Sequence, residues 1–394
     1  MTGRRRMLGP RLGPRPRPRE RLISVCWWLV TIARGIVARI GIVALVERRR
    51  GMHVDRRGES RGQALVPALL ADLAVTYEDG EPATWEPHEV LRASPDLTIL
   101  SAGPREQPSR AMIKIAESAG AARLLESEYR TLTTLHADPR LGEWRALLPH
   151  LIGGGEVGDT WYVAEGALVG TSLALALRET ADPASALREA AEVIGFLHRA
   201  TATEQVNADE ALDRWVRVPT RQLAEFIGDG RRSLVDAIAL LSGDLCQALE
   251  QQRVTVSWVH GDYHAGNILV TPDGRISGIV DWDLAHPQDL PSIDLVTLLL
   301  AARARMRHQE LGRVVCDVIG GDPWSDWESQ LILTAHELPT SSPIPNEAVV
   351  LLCWLRHITL TMRKHQRYVD RVVWSRLNVE AVLQAVTHAR RASP

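Results

Sequence analysis

The stretch His260-Gly-Asp-Tyr-His-Ala-Gly-Asn267, followed by Val280-Asp-Trp-Asp283, decides how the rest of this chain of 394 residues is interpreted. Asp262 and Asn267 stand five residues apart, and Asp281 adds a second carboxylate fourteen residues later. The apolar runs between Asn267 and Asp281 predict two short strands joined by a turn that contains Pro and Gly. A proton-accepting carboxylate beside an amide and a carboxylate that can hold magnesium is the arrangement that phosphoryl transfer requires.

The constellation resembles the aminoglycoside phosphotransferase and choline kinase superfamily, whose members carry a His-Gly-Asp-x-His-x-x-Asn loop followed by an Asp-Trp-Asp/Glu segment. The resemblance implies that Asp262 is the catalytic base and that Asn267 and Asp281 bind magnesium. It also implies that Asp294, in the helix that follows, braces the catalytic loop. One departure is Ala265, where the family usually has Pro. That change affects the stiffness of the loop and not a ligand.

The two histidines of the loop, His260 and His264, are interpreted as scaffold residues that shape it through hydrogen bonds. A metallohydrolase could also use a His-x-Asp-x-His string, but such sites need further histidine ligands at set spacings. That alternative also does not predict the downstream hairpin, so it is disfavoured. Asp289 receives no role, because the segment from 288 to 294 is looser than the family's usual Gly-Asp-Pro pattern.

A lysine suited to binding nucleotide phosphates lies earlier in the chain. Lys114 and Lys364 are its only lysines, which indicates that Arg would not serve at these positions. Alternation in 111–116 predicts a strand with Lys114 on one face. Glu128 falls on the apolar stripe of the next helix and is the expected ion-pair partner of Lys114. Glu126 is the fallback, and the competing interpretation is a solvated surface pair.

The adenine site is expected after the strand at 160–165, where backbone groups near Glu165 and Leu168 would pair with the base. A helix is predicted from about Thr171. The segment 100–110 before Lys114 has no Gly-x-Gly-x-x-Gly, so the sequence does not predict a phosphate-covering loop of the protein-kinase type.

Length and motif order predict an α+β, bilobal protein-kinase-like fold. A small, mainly antiparallel β N-lobe with one helix and the nucleotide site is expected at 58–167. A larger, mainly helical C-lobe with the catalytic loop and substrate cleft is expected at 168–394. Within this lobe, the helical spacing of apolar residues at 184–201 predicts that His198 packs in the core and takes no part in catalysis. Residues 1–57 are predicted to be a separate basic, apolar arm.

The expected activity is ATP- and Mg²⁺-dependent transfer of the γ-phosphate to a hydroxyl of a small molecule. Amino alcohols, sugars, amino sugars and antibiotics all remain open as acceptors, as does the oligomeric state. The alternative from another class is a non-catalytic nucleotide-binding or membrane-tethered scaffold. It is disfavoured because the catalytic residues are all in place.

Charge is distributed unevenly, although the net charge is −2. The arm is strongly basic and the remainder acidic, which argues against a nucleic-acid partner for the enzyme lobes. The last helices are again basic. These basic helices disfavour a polycationic aminoglycoside as the acceptor. Their basic residues form either a solvated helix face, which is the slightly favoured interpretation, or a site for an anionic substrate. The basic residues concerned are Arg356, Arg363, Lys364, Arg367, Arg371 and Arg376.

The arm contains an apolar run, and residues 20–47 are interpreted as a segment for peripheral membrane contact, with Arg side chains reaching lipid phosphates. A translation start near Met52 is an equal alternative, whereas Arg34 and Arg39 argue against a spanning helix. Four cysteines without metal-type spacing fit a reducing compartment. The expected location is the cytoplasm, with the inner face of the membrane as an option.

Overall fold

The computed structural model describes residues 65–70, 85–93, 96–105, 108–180, 182–206, 209–228, 230–322, 324–335, 344–364 and 372–392. The predicted arm at 1–57, with its membrane-contact segment at 20–47, lies outside these residues. Across the described ranges, no helix is both long enough and apolar enough to cross a membrane.

The N-terminal half forms a five-stranded antiparallel sheet in the order β1-β2-β3-β5-β4. Its strands are β1 Trp85–Ala93, β2 Leu97–Pro104, β3 Ala111–Ala116, β4 Leu151–Val157 and β5 Thr160–Gly166. One long helix, α1 (Ala119–Ala137), follows β3, and the Ser118 side chain caps it by accepting a hydrogen bond from the Ala121 N–H. The strand and helix predicted around Lys114 are therefore confirmed.

The two faces of β3 carry different chemistry. Ile113 and Ile115 are fully buried on one face, in a core that includes apolar residues of a helical segment at 65–70. Lys114 lies on the opposite face, which α1 covers through a small cluster around Leu125 and Val163. The alternation of the strand thus delivers one lysine into an otherwise apolar layer. β2 continues to Pro104, so the connection to β3 is shorter than the 100–110 loop expected from the sequence.

The C-terminal half is mainly helical. A helix was expected from about Thr171, but the helix there begins at Leu173 and lasts one turn, because 171–172 form a short strand. The helices are α2 Leu173–Ala176, α3 Pro183–Thr201, α4 Asp209–Leu212, α5 Val218–Ile227, α6 Arg232–Leu249, α7 Ser292–Arg307, α8 Leu311–Ile319, α9 Asp326–Ala335, α10 Asn346–Lys364, α11 Val372–Ser375 and α12 Ala381–Ala392.

Two small sheets carry the segment quoted first. The sheet β10-β9-β6 contains the predicted hairpin, and β11-β8-β7 contains the strand that leads into the catalytic motif. Their strands are β6 Thr171–Ser172, β7 Thr203–Val206, β8 Arg253–Val259, β9 Ile268–Val270, β10 Ile276–Ile279 and β11 His286–Asp289. The predicted α+β bilobal architecture, a β-rich N-lobe with one long helix and a helical C-lobe, is confirmed.

Candidate active site

The catalytic loop leaves the end of β8 and is held by a carboxylate beneath it. Asp294, in the first turn of α7, is fully buried and accepts hydrogen bonds from the backbone N–H groups of His260 and Gly261, both at 2.8 Å. His198 of α3 lies 3.0 Å from the same carboxylate through Nε2. Burial alone would raise the pKa of Asp294, but the hydrogen bond from His198 and the nearby His260 outweigh it and lower that pKa.

His260 connects the loop to the hairpin. Its Nε2 donates to the Val280 carbonyl at 2.9 Å, and its Nδ1 accepts from the Asp262 N–H at 3.3 Å. Burial lowers the pKa of this histidine, so the ring is neutral, as the donor and acceptor roles of its two nitrogens require. The ring packs against Trp282, 4.6 Å between centroids. His260 therefore contacts the hairpin, the loop and Trp282 at once, and its role as a scaffold residue stays a prediction.

Asn267 and His264 shape the remainder of the loop around Asp262. The Asn267 side-chain nitrogen donates to the Asp262 backbone carbonyl at 2.9 Å, so the amide oxygen of Asn267 points away from that carbonyl. His264 Nδ1 accepts from the Gly266 N–H at 3.0 Å, and its Nε2 lies 3.7 Å from an oxygen of Asp262. The Asp262 side chain retains 22% exposure, so its carboxylate can meet a substrate.

The hairpin brings Asp281 next to Asn267. The N–H of Val280 donates to the Asn267 carbonyl at 2.9 Å, which closes the base of the hairpin between the two predicted ligands. Asp281 itself has left-handed backbone angles, φ 77° and ψ 59°. This conformation is costly outside glycine and is concentrated at functional sites, although Asp tolerates it better than most residues.

Lys114 is bound by two carboxylates and not by one. Its Nζ donates to Glu128 at 2.7 Å and to Glu165 at 3.1 Å, and all three side chains are buried. Burial opposes the charge on Lys114, but Glu128 and then Glu165 outweigh it and raise the pKa of the lysine. Burial, only partly offset by Lys114, raises the pKa of Glu165 to about 7. The fallback partner, Glu126, pairs instead with Arg130 on the surface.

The Lys114 cluster is joined to the segment that directly follows the hairpin. The other interaction of Glu128 Oε1 is with the N–H of Trp282, which donates to it at 3.1 Å. Glu128 therefore links the N-lobe lysine to the residue directly after Asp281.

A sequence profile of the phosphotransferase enzyme family matches residues 99–317, more than half of the chain. The chain belongs to this family. The matched range contains the Lys114 cluster, the catalytic loop and the hairpin, so the resemblance expected from the sequence motif is confirmed.

Solved structures of other phosphotransferases were also found. The aminoglycoside phosphotransferase APH(3'')-Id from Streptomyces rimosus ATCC10970 is 18% identical, with a TM-score of 0.48 over 76% of this chain and 99% of that one. A macrolide 2'-phosphotransferase type I is 16% identical, with a TM-score of 0.46 over 84% and 98%. An aminoglycoside-3'-phosphotransferase of type VIII is 17% identical, with a TM-score of 0.44 over 74% and 98%. A search of curated protein sequences found no match.

In this member of the phosphotransferase family, the segment expected to bind adenine follows β5. The N–H of Gly166 donates to the His150 carbonyl at 2.7 Å, and the N–H of Ala167 donates to the Arg110 carbonyl at 2.9 Å. The Leu168 side chain packs so closely over Gly278 of β10 that a Cβ at that glycine would lie 2.5 Å from it. Backbone pairing with adenine near Glu165 and Leu168 remains a prediction.

The ligands expected for magnesium fit that ion by chemistry. The amide oxygen of Asn267 and the carboxylate of Asp281 are hard oxygen donors, and their two segments are joined by the hydrogen bond from the Val280 N–H to the Asn267 carbonyl. Among the described residues, no group of three or more His, Cys, Asp and Glu is placed to hold a metal. A kinase magnesium site does not need one, because nucleotide phosphates and water complete its coordination.

Arg356 of α10 was missed by sequence reasoning as a contact of the loop. Its guanidinium donates to Asp289 at 2.6 Å and to the Leu284 carbonyl at 2.9 Å, and its side chain is 24% exposed. The slightly favoured interpretation as a solvated face is therefore wrong for Arg356, although it fits the exposed Arg376. Asp289, to which the sequence assigned no role, is the buried partner of Arg356.

The remaining members of that basic group, 363, 364, 367 and 371, have side chains outside the described part of the chain. Arg356 and Asp289 line a cavity of about 510 Å³ in the C-lobe. Its walls come from three segments distant in sequence, at 213–222, 284–293 and 352–360. No local pattern could have predicted it.

Proposed function

We propose that this chain is a small-molecule kinase that transfers the γ-phosphate of ATP to a substrate hydroxyl. The observation that carries the proposal is the arrangement of the catalytic loop: Asp262 lies at the end of a fully braced turn, next to Asn267 and Asp281. Hydrogen bonds from the Asn267 side chain to the Asp262 carbonyl and from the Val280 N–H to the Asn267 carbonyl join the loop to the hairpin. Such positioning supplies most of the catalysis in phosphoryl transfer.

In the proposed mechanism Asp262 accepts the proton of the acceptor hydroxyl and orients its oxygen toward the γ-phosphorus. Lys114, fixed by Glu128, binds the nucleotide phosphates and neutralises part of their charge. Asn267 and Asp281 would hold magnesium, which would supply positive charge to neutralise the charge that develops during transfer. His260 and Asp294 keep the loop in place and take no part in proton transfer.

Aminoglycosides are not the favoured acceptors. The cavity in the C-lobe is lined by two arginines and two aspartates, and each aspartate is paired with an arginine, Asp289 with Arg356 and Asp213 with Arg217. A polycation would have to compete with an arginine for either carboxylate. Because the proposed reaction draws on cellular ATP, the proposed location is the cytoplasm, and contact with the inner face of the membrane would fall to the arm at 20–47.

The test is magnesium-dependent ATP consumption by the full chain, presented with a pool of amino alcohols, sugars, sugar acids and aminoglycosides. Asp262→Asn should retain nucleotide binding and lose about 10²- to 10⁴-fold in kcat, as expected for loss of a general base. Asp236→Asn, an exposed position on α6, is the matched control and should behave as wild type.

Two outcomes would count against the proposal. Turnover by Asp262→Asn at the wild-type rate would remove the assigned base. Tight ATP binding with no phosphorylated product from any acceptor would favour the alternative, a nucleotide-binding scaffold.

A further inference from the structure

A single side chain of α10, Arg356, binds both ends of β11. Its Nη1 donates to the carboxylate of Asp289, the last residue of that strand, at 2.6 Å. Its Nη2 donates to the carbonyl of Leu284, two residues before the strand begins, at 2.9 Å. Because a guanidinium presents its donors in a rigid planar fork, these two bonds fix their acceptors relative to each other. Arg356 therefore sets the position of β11 against α10.

The strand β11 lies next to the strand that carries the catalytic loop. It pairs antiparallel with β8, and its first residue, His286, lies opposite Val259, the last residue of β8. The catalytic loop begins at the next residue, His260. The position of β11 therefore affects the backbone that leads into Asp262.

The guanidinium of Arg356 also packs directly against the loop. Gly261 has φ 82°, and a Cβ on it would overlap Nη2 of Arg356 and the Leu284 carbonyl. Gly261 directly precedes Asp262, and its N–H donates to Asp294 at 2.8 Å. The residue before the proposed base therefore contacts both a carboxylate of α7 and a guanidinium of α10.

The ion pair beneath this contact is fully used. Burial opposes the charge on Arg356, but Asp289 and then Asp294 outweigh it and raise the pKa of the guanidinium. One oxygen of Asp289 accepts from Arg356, and the other accepts from the Leu290 N–H at 2.9 Å. A buried polar network whose members are satisfied in this way is rigid, so the guanidinium has a fixed position beside the loop.

We propose that Arg356 is a positioning residue for Asp262. This inference rests on the proposed function and adds to it a residue that the catalytic motif does not contain. Arg356 acts through the backbone of Gly261 and through β11, and not by contact with ATP. Its replacement should therefore lower kcat and leave the Kd of ATP unchanged.

The first test replaces the guanidinium by a point charge. Arg356→Lys keeps a charge beside Asp289, but an ammonium lacks the fork that binds Asp289 and the Leu284 carbonyl together. With the best acceptor of the pool named above, the full chain should lose about 10- to 100-fold in kcat. The Kd of ATP, measured by calorimetry, should stay within about twofold of wild type.

The matched control is Arg313→Lys, at an exposed arginine of α8 that pairs with Asp317. It makes the same chemical change on the surface and should leave kcat and the Kd of ATP unchanged. A wild-type kcat in Arg356→Lys, or an equal loss of kcat in Arg313→Lys, would overturn the inference.

Hydrogen exchange measures the loop without any acceptor. The N–H groups of His260 and Gly261 are bound by Asp294, so the peptide 258–268 should exchange slowly in the wild-type chain. In Arg356→Lys this peptide should exchange about tenfold or more faster, whereas peptides of β3 and α1 should match wild type. Equal protection of 258–268 in both proteins would show that the loop is held without Arg356 and would refute its positioning role.

A double variant separates positioning from neutralisation of the buried acid. Arg356→Met together with Asp289→Leu removes both charges, so that no buried charge is left alone. Its kcat should still be about tenfold or more below wild type, because the Leu284 carbonyl and Gly261 have lost the guanidinium. A wild-type kcat in the double variant would mean that Arg356 serves only to neutralise Asp289, which overturns the inference.

The two proposals fail in different ways. Acceptor phosphorylation that is lost in Asp262→Asn, with kcat and loop exchange unaffected in Arg356→Lys, would retain the kinase and refute the positioning role. Faster loop exchange in Arg356→Lys, in a chain that gives no ATP-dependent product, would support the contact between Arg356 and the loop and refute the kinase.

Discussion

The catalytic loop and the cavity beside it are built on opposite principles. In the loop, the backbone N–H groups of His260 and Gly261 meet one buried carboxylate, and both nitrogens of His260 are used. In the cavity, Arg214 and Trp215 keep buried donors that no described residue satisfies. The polar groups named in the loop have partners within the protein, whereas these two donors beside the cavity have none among the described residues.

The hydrogen bonds of the loop show where this fold places its stability. A fully satisfied polar network stiffens a unique geometry, which a proton acceptor needs. A buried donor without a partner instead costs free energy on folding. Variants in the loop should therefore lose more stability than variants of these two cavity residues.

The largest effect is expected at Asp294. In Asp294→Asn an amide NH₂ faces a backbone N–H, and the buried carboxylate that pairs with His198 is lost. The free energy of unfolding should therefore fall by about 3–5 kcal/mol. The measurement is the urea unfolding midpoint of the full chain, with Asp236→Asn as control. A shift below about 1 kcal/mol would mean that the loop is not braced from α7.

An intermediate effect is expected at Gly261, with Gly274 as a matched partner. Both have positive φ, 82° and 86°, but a Cβ at Gly274 meets nothing within 4 Å. Gly274→Ala should cost about 1–2 kcal/mol from backbone strain alone. Gly261→Ala adds the overlap with Arg356 and should cost about 3 kcal/mol or more, with loss of turnover. Equal shifts in thermal unfolding would show that Arg356 yields without cost.

The smallest effect on stability should come from the cavity. Arg214→Gln removes the hydrogen bond to the Gln288 carbonyl, and Trp215→Phe removes part of a buried ring, so each should lower the free energy of unfolding by about 1–2 kcal/mol. The same urea titration measures it. A loss of stability as large as that of Asp294→Asn would show that Arg214 and Trp215 stabilise the fold as much as the buried carboxylate beneath the loop does.

The same contrast explains what the sequence could predict. The loop, the hairpin and the strand around Lys114 were predictable because their residues are close in sequence and their spacing reflects local geometry. Glu128 was predictable from helical periodicity. The cavity was not, because it forms only when segments around 214, 286 and 356 pack together.

The second carboxylate on Lys114 was missed for a related reason. Glu165 faces Lys114 only because β3 pairs with β5 in a register that sets Lys114 opposite Val163 and Met112 opposite Glu165. That register is a long-range property. The sequence placed Glu165 near the nucleotide through its backbone, whereas the structure brings its side chain to the lysine. Its part in adenine binding, like the magnesium roles of Asn267 and Asp281, stays a prediction.

Two buried acids sharing one lysine carry an excess negative charge unless one of them is protonated. With its pKa near 7, Glu165 is the acid that changes state around neutrality. If Lys114 takes nucleotide phosphates as proposed, their arrival adds negative charge and pushes Glu165 toward its protonated form. Loading the nucleotide would then draw a proton from solvent, and ATP affinity would decline as the medium becomes more alkaline.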